Sequence, residues 1–130
     1  MKRISGSCLC GKVTYEINSD PLNVVHCHCR MCQKHSGAAF LTYASYPSAS
    51  LRFTGALPVA YRSSPAAQRS HCGTCGSPVS FTYDSEPEVT YIAVGTLDEP
   101  GEVTPREHWF VRSKISWIKL DDGLIQKAEM

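Results

Sequence analysis

No apolar run in this sequence is long enough to cross a membrane. None stands behind the basic start Met1-Lys2-Arg3 either, so no signal-peptide pattern is visible. Charge of one sign is also lacking. Thirteen basic side chains face twelve acidic ones, for a net charge of +1. Nothing in that balance suggests a dedicated nucleic-acid or membrane partner. The G-x-S-x-G elbow, the phosphate loop and the dinucleotide fingerprint are all missing. Internal repeats, low-complexity tracts and linkers are missing too, and 130 residues suit one domain spanning 1–130.

Cysteine is what the sequence has in plenty. There are seven, an odd number without an export signal. Reduced, metal-bound thiols in a cytoplasmic protein fit this better than disulfides. Three of them, Cys27, Cys29 and Cys32, stand in the run Val25-His26-Cys27-His28-Cys29-Arg30-Met31-Cys32-Gln33-Lys34-His35. A C-x-C-x-x-C run cannot pair its three thiols as disulfides, but a tight loop followed by one helical turn brings all three sulfurs to one ion. Zinc takes four tetrahedral ligands and favours thiolate and imidazole; three protein ligands leave a position open, as in catalytic sites. The alternative is three buried thiols packing as small apolar groups. The remaining four are split into Cys8-x-Cys10 and Cys72-x-x-Cys75. Two split pairs are the usual pattern of a closed four-cysteine zinc site. The spacing leaves open which pairs share a site.

Most of the chain reads as short strands. Lys12 to Ile17 alternates polar and apolar residues, Leu22 to Val25 leads into the triple-cysteine loop, and Ala38 to Tyr46 reads as a buried strand. Leu51–Thr54 and Val59–Arg62 are expected to form a hairpin around Gly55-Ala56-Leu57-Pro58. Gln68 to His71 runs into the second cysteine pair, and Val79–Tyr83 and Val89–Val94 flank a turn. Arg30 to Ser36 is the one predicted helix, closed by Gly37. The expected fold is mainly β, a small single domain of short antiparallel strands with little helix, stapled by zinc.

Four motifs stand together in order: Gly6-Ser-Cys-Leu-Cys-Gly-Lys-Val-Thr-Tyr15, Cys27-His-Cys-Arg-Met-Cys-Gln33, Cys72-Gly-Thr-Cys-Gly76 and Val94-Gly-Thr-Leu-Asp98. In these the sequence resembles the glutathione-dependent formaldehyde-activating enzyme family, which includes centromere protein V-like domains. The resemblance covers nearly the whole chain. It implies a zinc-stapled β-tent, a structural zinc on Cys8, Cys10, Cys72 and Cys75, and a second zinc on Cys27, Cys29 and Cys32. Ser116 precedes Trp117 where the family usually carries a proline, so a local turn is expected to differ.

Charge decides what the open site would favour. Zinc brings +2 and three thiolates −3, which makes a weaker Lewis acid than zinc on neutral histidines. Such a site suits a fourth thiol held as a nucleophilic thiolate, and a carbon–sulfur lyase joining a small thiol, glutathione above all, to a small carbonyl compound such as formaldehyde. His26 and His28 are candidates to move the thiol's proton, with packed histidines as the alternative. Arg30 and Lys34 are candidates to hold a carboxylate of the thiol. His35 and His71 are alternative fourth zinc ligands, and Trp109 and Trp117 either line a pocket or pack in the core. Two other readings remain: a non-catalytic zinc module that binds a protein or carries a thiol adduct, and a redox or zinc sensor using the triple cysteines.

Overall fold

Alternation builds the strands. In Thr14-Tyr15-Glu16-Ile17, Tyr15 and Ile17 are buried while Thr14 and Glu16 stay half-covered, as in a strand with one packed face. The computed structural model describes residues 3–130; Met1 and Lys2, at the basic start, lie outside the described residues. Along the chain the elements are β1 (Ile4–Ser7), β2 (Thr14–Ile17), β3 (Asn23–Cys27), α1 (Arg30–Ser36), β4 (Leu41–Pro47), β5 (Leu51–Phe53), β6 (Val59–Ser64), β7 (Ala67–His71), β8 (Pro78–Tyr83), β9 (Val89–Ala93), β10 (Glu107–Trp109) and β11 (Ile125–Gln126). The protein is mainly β, with one α-helix among the described residues. Among the described residues, no helix is long and apolar enough to cross a membrane.

The strands form two sheets. One has the order β1-β2-β5; the other has eight strands in the order β11-β10-β3-β4-β9-β8-β7-β6. Most pairings are antiparallel, but β10 runs parallel to both β3 and β11. A parallel neighbour needs a long crossover, and some eighty residues separate His26 from its register partner His108.

The expected hairpin of Leu51–Thr54 with Val59–Arg62 does not form. Instead β5 pairs with β2 and β6 pairs with β7, in different sheets. The Thr54 N–H donates to Thr14 O and the Ala56 N–H to Lys12 O, which extends β5 along β2 past the supposed turn. Leu57-Pro58 then carries the chain across to the other sheet.

One core lies between the sheets, where Tyr15 and Ile17 of β2 meet Val24, Ala44, Tyr46 and Ile92 of the large sheet. A second apolar cluster covers the opposite face of the large sheet and contains Val25, Cys27, Tyr43, Phe81 and Tyr91. A third, small cluster of Cys8, Val13, Cys72 and Val79 ties the start of the chain to the β7–β8 turn.

Candidate metal centre

The two cysteine pairs meet. The sulfurs of Cys8, Cys10, Cys72 and Cys75 all lie within 4.8 Å of one another. Cys10 Sγ stands 3.6 Å from Cys8 Sγ and 3.7 Å from Cys72 Sγ. A disulfide would bring two sulfurs to about 2 Å, whereas a tetrahedron with Zn–S bonds of about 2.3 Å has sulfur–sulfur edges of about 3.8 Å. These four residues therefore fit a tetrahedral ion. Gly11 and Gly76 follow the two pairs with φ of 81° each, a left-handed turn that a side chain would strain. Those turns aim backbone N–H groups at sulfur: Val13 N–H at Cys8, and Thr74 and Cys75 N–H at Cys72, at 3.3–3.4 Å. Such donors stabilise thiolate. The cluster joins one sheet to the other.

Cys27, Cys29 and Cys32 form the second cluster, again with all sulfurs within 4.8 Å. Cys27 ends β3. Cys29 caps α1, its sulfur accepting from the Cys32 N–H at 3.2 Å, and Gly37 closes the helix with φ 71°. Gln33 locks the loop by donating Nε2–H to the carbonyls of His28 and Ser113. Hydrogen bonds from the Cys27 and Cys32 thiols push Cys29 far below the usual thiol range, and Cys27 is pushed far above it. Crowding three sulfurs together penalises their joint ionisation, which a bound cation would relieve. Three convergent soft donors fit zinc.

Arg69 was not singled out in the sequence. It lies on β7, only 4% exposed, and both its terminal nitrogens donate to Cys32 Sγ at 3.5 Å. It also donates to the Tyr43 hydroxyl at 3.1 Å and stacks over Phe81 at 4.8 Å. Burial keeps the Tyr43 phenol neutral by pushing it well above its usual range. Zinc on three thiolates would carry −1, and this buried cation would bring the local charge to zero.

A cavity of about 270 Å³ opens against the three sulfurs, lined by Cys27, Cys29 and Cys32 together with Arg69. Trp109 is part of its wall, whereas Trp117 is 69% exposed and packs in neither pocket nor core.

Profile comparison places this geometry among known proteins: the model of the glutathione-dependent formaldehyde-activating enzyme family matches residues 3–113. The chain belongs to the glutathione-dependent formaldehyde-activating enzyme family. A crystal structure of a Rhodobacter sphaeroides protein is similar to it at 21% identity, covering 95% of this chain and 98% of that one, with a TM-score of 0.60. That likeness supports the fold.

In this family member the other expected site residues are spread around the cluster. Arg30 and Lys34 are exposed on α1, one turn apart, and neither lines the cavity. Arg30 donates to Gln33 Oε1. His26 and His28 were expected at the bound thiol, but alternation along β3 turns Val25 and Cys27 to the cavity and both histidines to the opposite face. There His28 Nε2 stands 2.9 Å from His108 Nδ1, and His108 Nε2 stands 2.8 Å from Asp122 Oδ2. His26 Nδ1 meets Thr42 Oγ1 at 2.7 Å. Burial lowers His28 to about 4, so its ring is neutral near pH 7. These rings hold β3, β10 and the chain near Asp122 together. His35 and His71, the alternative fourth ligands, belong to neither cysteine cluster.

Proposed function

We propose that the protein joins a small thiol of the glutathione type to a small carbonyl compound, and parts them again, at the Cys27–Cys29–Cys32 site, as a carbon–sulfur lyase. The observation that carries this reading is the pair formed by the three-sulfur cluster and the buried Arg69 cation. A zinc ion held by these three sulfurs would supply one further coordination position, suited to keeping a thiol ionised. Arg69 offsets negative charge gathered there, because a buried cation is screened far less than a surface one. Arg30 and Lys34, one turn apart on the exposed side of α1, would hold a carboxylate of the thiol outside the cavity.

The reaction balances without any other reagent. A lone pair of the thiolate sulfur forms the carbon–sulfur bond at the carbonyl carbon. The carbonyl π pair moves to oxygen, which takes up one proton, equal to the one the thiol gave up. The reverse reaction breaks the same bond. His26 and His28 act as positioning residues, since their rings fix β3 against β10 on the other face. The Cys8, Cys10, Cys72 and Cys75 site is structural: it closes the two sheets together, and a structural zinc is worth about 10–16 kcal/mol.

The test is turnover by zinc-loaded protein with a panel of thiols and aldehydes, measured above the uncatalysed rate. Acceleration that depends on Cys32 and Arg69 supports the lyase. Thiol binding without acceleration of any aldehyde reaction replaces it with a non-catalytic thiol carrier.

A further inference from the structure

The cavity beside the three sulfurs is larger and more apolar than formaldehyde needs. Its wall includes Met31, Phe81, Tyr83, Tyr91, Trp109 and Phe110. The rings are set edge-to-face: Phe81 to Tyr83 at 4.6 Å and 84°, and Tyr91 to Trp109 at 6.2 Å and 63°. At about 270 Å³ it exceeds the apolar cavity of about 150 Å³ that holds benzene in another protein. Phe110 lines it from a left-handed backbone, φ 58°, a conformation that is strained for a non-glycine residue. Strain of this kind clusters at ligand clamps.

Of the polar groups in the wall, Arg69 contacts the sulfur of Cys32. Arg69 Nε and Ser63 Oγ are buried without a hydrogen-bond partner, and both residues line the cavity. The charged groups of a glutathione-type thiol have no counter-charges among the ring residues, whereas Arg30 and Lys34 lie outside.

Resting on the thiol–carbonyl reading above, we infer that this cavity takes the apolar group of the carbonyl substrate, an aromatic ring or a short alkyl chain, and that apolar aldehydes are preferred over formaldehyde. The thiol enters from the side of α1. The aldehyde seats its ring or chain among Phe81, Tyr91 and Trp109, which leaves its carbonyl carbon at the mouth beside the sulfurs. Carbon–sulfur bond formation then follows the balance given above, with the alkoxide oxygen taking the proton and no oxidant or reductant involved.

Two measurements on zinc-loaded protein test this. The first is a titration with benzyl alcohol, which has the ring of benzaldehyde but no carbonyl, followed by fluorescence in a Trp117→Phe background that leaves Trp109 as the sole tryptophan. Saturable quenching is expected. The second is kcat/KM with glutathione and, in turn, formaldehyde, hexanal and benzaldehyde; the apolar aldehydes should lead formaldehyde by at least tenfold. Ala67, buried in the cavity wall, gives a filling variant: Ala67→Leu should weaken benzyl alcohol binding and shrink the aldehyde preference, each about tenfold. If that variant does not fold, the two measurements made without it still decide. No saturable binding, or formaldehyde turned over as well as the apolar aldehydes, overturns the inference and leaves the lyase reading standing. Binding of benzyl alcohol with no aldehyde turned over overturns the lyase reading and the substrate assignment with it.

Discussion

Replacing Arg69 by methionine keeps a long apolar stem and removes the cation beside Cys32. A fourth sulfur joining those of Cys27, Cys29 and Cys32 would stand one tetrahedral edge from Cys32 Sγ, so at most about 7 Å from the guanidinium. At an effective dielectric near 20, a pair of unit charges at that distance is worth about 2.4 kcal/mol, or roughly fifty-fold in affinity. Salt softens this little, because Arg69 is only 4% exposed. The assay is cobalt-substituted protein titrated with glutathione, reading the sulfur-to-cobalt charge-transfer band in the near ultraviolet. Arg69→Met should keep the visible spectrum of the protein-bound cobalt and need tens of times more glutathione to reach the same band. Arg69→Lys, which keeps the charge but not the two-pronged contact with Cys32 Sγ, should fall between. Unchanged glutathione affinity in Arg69→Met, with the metal still bound, would refute the claim that this cation stabilises a bound thiolate.

Three further outcomes can be measured on variants. Cys8→Ser or Cys72→Ser should abolish a cooperative melt, because a structural zinc worth about 10–16 kcal/mol exceeds the net stability of many domains, while Cys32→Ser should still melt cooperatively, at a cost of about 1–3 kcal/mol; equal losses would break the division into a structural and a functional site. Glu107 accepts from Trp109 Nε1 at 2.6 Å and lies 3.2 Å from Lys127 Nζ, which holds its carboxyl below the usual range. A depressed acid adds stability above its unfolded pKa and loses it as pH falls through the folded one, so Glu107→Gln should flatten the decline in thermal stability below about pH 4.3; parallel melting curves for the two proteins across that range would contradict it. Trp117→Ala should change stability by no more than about 0.5 kcal/mol in a denaturant titration, as at other exposed positions away from special features, and a larger loss would mean that this ring is packed.

The parts legible in the sequence were those with local causes. Spacing gathers three of the seven cysteines into one run and leaves four as two split pairs, and Gly37 marks where α1 must stop. The direction of His26 and His28 was also legible: a period of two sends them away from Cys27, and only their nearness in sequence suggested a shared site. The hairpin at Gly55 failed because Thr54 and Ala56 donate to the carbonyls of Thr14, on β2, and Lys12, just before it, some forty residues away. Arg69 could not be read because an arginine in a strand is usually exposed; its role exists only once Cys32, from 37 residues away, is folded against it. The cavity is hidden for a similar reason. Phe81, Tyr91 and Trp109 each look like ordinary strand core until three separate strands set them around the sulfurs.

The central claim is that Cys27, Cys29 and Cys32 hold zinc with room for a thiol. Its most direct measurement is a crystal structure of zinc-loaded protein soaked with glutathione, with anomalous data collected at the zinc edge. Two anomalous peaks are expected, one inside Cys8, Cys10, Cys72 and Cys75, the other among Cys27, Cys29 and Cys32 with the glutathione sulfur completing its tetrahedron. A single peak at the first site, or a second zinc whose fourth ligand is a protein side chain in the presence of glutathione, would contradict the account.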